Sequence, residues 1–166
     1  MENVHATVYD LLARMPDAFA ALATDSAYHG FDGVWGPFEC LAHVVDVSEA
    51  AFRQRIRRIL ELDQPLIASI DPPALLRAGG YERLSAAELI ARYREERRRD
   101  NAWLRSLPPA ALTRTGLHDE AGLIRAAEIV NYWPVHELSH LRQAAGALRA
   151  GLLEGAGPMA IFAEEI

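Results

Sequence analysis

His136, Glu137 and His140 spell H-E-x-x-H within Trp133-Pro134-Val135-His136-Glu137-Leu138-Ser139-His140-Leu141-Arg142-Gln143. On a helix, residues four apart lie one above the other, so both imidazoles can reach a single metal ion. The spacing admits two chemistries. One is a zinc-protease helix in which Glu137 serves as general base; the other is two-thirds of a three-histidine site. Both histidines fall on a largely apolar face with Ile129, Trp133 and Gln143. Neutral imidazoles on such a face need partners, which a metal or a set of buried carbonyls and carboxylates can supply.

A third nitrogen is available upstream. His43 sits in Glu39-Cys40-Leu41-Ala42-His43-Val44-Val45-Asp46, flanked by apolar residues, on the helix side shared with Val47 and Ala50. Three histidines leave open coordination positions, the catalytic rather than the closed structural pattern. Imidazoles without thiolates suit a divalent transition metal: zinc or nickel first, then iron, cobalt or manganese. Glu137 and Asp46, one turn beyond His43, are the candidate catalytic carboxylates, either as bases or as acceptors that orient an imidazole.

The elements that must carry these residues read as helices. Apolar residues recur at three and four over about 3–23, 37–61, 85–107 and 124–150, with an irregular tail over 151–166. Pro16 predicts a kink or a break near Arg14–Met15, Pro37 suits a first helical turn, and Ser85 with Glu88 forms a capping box. Gly151 is the expected stop of the last helix. The Arg94–Arg99 run alternates with glutamates and reads as a solvated face; Asp100 points inward. Strand signals are weak, so the expectation is an all-α four-helix bundle without a sheet, one domain over 1–166. The long link Leu62–Leu84 can cross the bundle and leave helices two and three parallel.

Composition narrows the function. The net charge of −6 argues against nucleic acid, and no apolar run is long enough to span a membrane. The acidic N-terminus does not read as a secretion leader, and the lone Cys40 fits a reducing cytoplasm. All 17 basic residues are arginine, which removes Schiff-base and P-loop lysine chemistry.

The chain resembles the DinB-like (damage-inducible) metal-binding helical bundles. The matching residues are Trp35, Pro37, Glu39-x-Leu41-Ala42-His43-x-x-Asp46, Phe52 and Arg55-Ile56. Further on come Arg114-x-Gly116-x-His118, Gly122 and His136-Glu137-x-x-His140-x-x-Gln143. The resemblance implies a four-helix bundle with a divalent metal on His43, His136 and His140. It also implies a small-molecule substrate, in some relatives a low-molecular-weight thiol as cosubstrate, and pairing into a homodimer. A metal acting as Lewis acid on water or on a thiol makes hydrolase and thiol transferase the two candidate activities, with a non-catalytic metal-binding or stress-associated protein as the alternative. The protease reading weakens: an extended zinc-protease motif would place glycine at 143 and histidine at 146, where the chain has Gln143 and Gly146.

Overall fold

The computed structural model describes residues 4–23 and 35–163. In chain order the elements are α1 (Val8–Leu22), α2 (Pro37–Val47), α3 (Gln54–Glu61), β1 (Leu66–Ile67), α4 (Pro72–Ala78), α5 (Ala86–Ser106), α6 (Pro109–Leu112), β2 (Thr115–His118), β3 (Gly122–Arg125) and α7 (Ala126–Gly155). A π-helical stretch, Ser48–Arg53, joins α2 to α3 into one long rod. A 3₁₀ turn over Gly157–Phe162 closes the tail.

Local chemistry starts the helices. At α2, Glu39 Oε2 accepts the Gly36 N–H at 2.9 Å, and Pro37 takes the first position, where its missing N–H costs nothing. At α5, Ser85 Oγ accepts the Glu88 N–H while Glu88 Oε2 accepts the Ser85 N–H, at 3.2 and 2.8 Å. Glu128 accepts the Arg125 N–H at 2.7 Å to open α7.

Ion pairs and ring contacts fix the directions. Asp17–Arg94 (2.8 Å) and Asp10–Arg105 (3.7 Å) set α1 antiparallel to α5. Ser48 meets Arg97 and Arg53 meets Asp100, so the α2–α3 rod and α5 run the same way. Phe52 stacks on Trp133 while His43 meets His140, so α7 opposes the rod. The link accounts for the parallel pair. It passes β1 at the far end of α3, returns along α2 as α4, and delivers Tyr81 to Asp46 beside α2 before α5 begins. The four-helix bundle is therefore present, with its expected parallel pair.

Four expectations need correction. A three-stranded sheet exists: β1 pairs parallel with β2, and β2 pairs antiparallel with β3 in the register Leu117↔Leu123. Its strands are too short for alternation to register, and Leu117 and Leu123 are both exposed. Of the kink or break expected at Pro16, the break is absent: α1 continues through Pro16, which is buried within it. Helix α7 runs past Gly151; the left-handed glycine is Gly157 (φ 52°), just beyond the helix end. Arg97 does not join the solvated face of its run, because it is 2% exposed in the core.

Two apolar clusters fill the bundle. One gathers Met15, Phe19, Leu41, Leu89 and Tyr93; the other gathers Leu12, Phe52, Ile56, Leu104, Val130 and Trp133. Among the described residues, no helix is long and apolar enough to cross a membrane.

Candidate metal centre

Helices α2 and α7 bring three imidazoles to one point. His43 Nε2 lies 3.2 Å from His136 Nε2, and one nitrogen from each of His43, His136 and His140 falls within 4.8 Å of the other two. The ring centroids are 4.4 to 5.2 Å apart. Trp35 flanks His43 at 4.8 Å, and the Phe52 ring edge meets His136 at 5.4 Å.

Burial lowers all three histidine pKa values, and for His43 and His136 the neighbouring imidazoles add to it. His43 is pushed down to about 3 and His136 to about 4, so near neutrality both are uncharged with lone pairs exposed. His140 Nδ1 lies 3.0 Å from Gln143 Oε1. An amide oxygen can only accept, so Nδ1 carries the proton and Nε2 is left as the donor atom.

This set fits a divalent transition metal. Two nitrogens at ~2.05 Å from a tetrahedral ion lie about 3.3 Å apart, close to the 3.2 Å observed. Neutral nitrogen donors without sulfur suit zinc and its neighbours.

The histidines open onto a cavity of about 690 Å³. Trp35, Val47, Ala51 and Phe52 wall it near the imidazoles. Ile129 and Tyr132 add a wall from α7, and Ile70 and Pro72 one from the link. Arg55, His118, Glu120 and Glu128 are its polar members.

A family model described as the DinB superfamily matches residues 3–144, most of the chain. The chain belongs to the DinB superfamily. Among solved structures it is similar to YfiT from Bacillus subtilis, described as "a probable metal-dependent hydrolase with an unusual four-helix bundle topology". The match has a TM-score of 0.76 and 19% sequence identity, and covers 90% of this chain and 91% of that one. No curated protein matches.

In this DinB chain the structure gathers the three histidines but not the two carboxylates. Glu137 is fully buried on the far side of α7, paired with Arg97, and does not line the cavity. Burial raises its carboxyl, to about 7, against the opposing pull of Arg97. Asp46 accepts a hydrogen bond from the Tyr81 hydroxyl and also lies outside the cavity. Asp100 binds Arg53 at 2.6 Å. His118 does reach the cavity; its Nδ1 accepts the Glu120 and Ala121 N–H groups at 3.2 and 3.3 Å. His29 lies outside the described residues.

Val47 lines the cavity with His43, but Ala51 and Phe52 take the place of Ala50 on that side, and Arg55 joins them. The π stretch is the cause. At about 100° per residue, twelve α-helical residues leave Arg55 roughly 120° from His43. Six residues at roughly 80° each, the pitch of i→i+5 bonding, take that 120° away. A strict 3.6 period contains no signal for this shift.

Proposed function

We propose that this DinB protein is a metal-dependent hydrolase of small organic molecules, with His43, His136 and His140 holding one zinc, nickel or similar divalent ion. One observation carries the reading: three neutral imidazoles face a cavity large enough for a substrate rather than closed protein. A bound divalent ion would supply Lewis acidity, polarising a substrate carbonyl and lowering the pKa of water. The chain's own groups do the rest. Gln143 fixes the tautomer of His140, Trp35 and Phe52 shield the imidazoles, and the apolar wall holds the substrate body. The description of YfiT supports hydrolysis as the reaction class.

Transfer of a low-molecular-weight thiol is the second reading. It is favoured by the distance of Glu137 and Asp46 from the cavity. A thiol ionises near pH ~8.5 and needs less help from a base than water does. In either reading Glu137 and Asp46 act by holding helices rather than by touching substrate. The protein would work in the reducing cytoplasm, where buried Cys40 stays free, and a homodimer through helix faces is compatible with it.

Elemental analysis of protein purified without added metal tests the proposal, with about one equivalent expected; less than a tenth of an equivalent would sink it. Metal-loaded protein is then assayed with ester and amide panels, and with a thiol plus electrophile. Activity lost on His140→Ala supports the site. Activity that survives it places the chemistry elsewhere.

A further inference from the structure

We propose that Arg55 anchors a carboxylate of the ligand, so that the cavity takes an amphipathic small molecule: an apolar body with one anionic end. The inference rests on reading the cavity as the substrate site.

Arg55 is a half-buried cation on the cavity wall that makes a single hydrogen bond among the described residues, from Nη2 to the Ala68 carbonyl at 2.9 Å. That bond fixes the side chain and leaves the remaining N–H donors of the guanidinium uncommitted. Among the described residues the acids nearby attract it without pairing with it. Asp119 is taken by the Ser69 N–H and Oγ at 2.8 and 2.7 Å. Glu128 is engaged by the N–H and guanidinium of Arg125. Glu120 is exposed. Burial accordingly depresses the Arg55 guanidinium despite the attraction of Asp119 and Glu120. A half-buried guanidinium with free donors favours a carboxylate, which a ligand can supply through a two-point bond.

The placement sets the ligand's shape. The π stretch turns Arg55 onto the His43 face, about three turns further along the rod. The stretch of wall between the two levels is a gap that the body of a ligand can span. Val47, Ala51 and Phe52 line this gap and Ile129 and Tyr132 face it. An aryl or alkyl chain with its anion on Arg55 would set its other end at the histidines.

Binding of 3-phenylpropionate and 3-phenylpropionamide, followed by calorimetry on chelator-treated and on zinc-loaded protein, tests this without turnover. The acid should bind about tenfold or more tightly than the amide in both forms. Arg55→Gln should erase that preference and Arg55→Lys should restore part of it. An acid-to-amide ratio near one in the wild type, or no binding of either probe, overturns the proposal. So does a preference that survives Arg55→Gln, or one that needs zinc, which would place the carboxylate at the histidines. If the glutamine variant does not fold, the wild-type ratio in chelator decides. Arg55-dependent binding in a protein that holds no metal would leave the anchor standing and defeat the metal-dependent reading alone.

Discussion

Arg97→Met should be among the most damaging single changes in this bundle. Arg97 is 2% exposed and Glu137 0%. The guanidinium bonds Glu137, reaches Asp100 at 3.3 Å and Ser48 Oγ at 3.0 Å, and lies 4.6 Å over the Trp133 ring. Removing it takes away the cation that faces Glu137, while Asp100 keeps Arg53 at 2.6 Å. Breaking a buried ion pair by removing one partner costs about 3–5 kcal/mol. That is about a fifth or more of the whole stability expected of a domain this size, ~5–15 kcal/mol. Methionine roughly conserves the volume, so the loss reports on charge rather than on a cavity. Urea unfolding followed by circular dichroism measures it, with a melting-temperature drop of roughly 6–20 °C as the thermal counterpart. The double variant Arg97→Met/Glu137→Leu removes both charges and should recover most of the loss, since apolar replacement of a whole buried pair is often neutral or stabilising. A single-variant loss below about 1 kcal/mol, or a double variant no better than the single, would refute the reasoning.

His140→Ala should leave metal-free stability within about 1 kcal/mol of wild type but abolish stabilisation by zinc, which for the wild type is about 2.7 kcal/mol at a hundred times Kd; a zinc-dependent thermal shift that persists in the variant counts against the three-histidine centre. Gly116→Ala should cost about 1–3 kcal/mol by overpacking. Its Cβ would fall 2.9 Å from Ile59 Cγ1 and 3.2 Å from Ile67 Cγ1, and an unchanged melting temperature would contradict that crowding. Cys40 is fully buried, and burial first, then the charge of Glu39, pushes its thiol up to about 12. It should resist a disulfide reagent at pH 8 until the protein unfolds. Because the folded value is raised above 9.0, its contribution to stability is present below pH 9.0 and lost as pH rises toward 12; rapid labelling of native protein at pH 8 would show the burial to be wrong.

Much of the site was legible in the chain because its signals are local. The four-residue step from His136 to His140 needs only one helix, and apolar flanks marked His43 as inward-facing. Helix starts at Pro37 and Ser85 were equally local, being written in cap chemistry within three residues. The long link Leu62–Leu84 foretold the parallel pair because a chain that returns along the bundle needs length. Glu137 shows where local reading stops. Its place beside His136 suggested a base at the metal, but neighbours on a helix point about 100° apart. The buried Arg97 on α5, contributed from 40 residues away, claimed the carboxylate.

By itself, then, the sequence determined the four long helices, the starts at Pro37 and Ser85 and the three histidines that meet, since each depends on residue type and short-range spacing. The tertiary structure decided which side chains share a wall and which are withdrawn from it. The π turn at Ser48–Arg53 rotates Arg55 onto the histidine face, and burial against α5 takes Glu137 away from it. The first departs from the 3.6-residue period within one rod; the second keeps that period and depends on a buried cation brought by α5, distant in sequence.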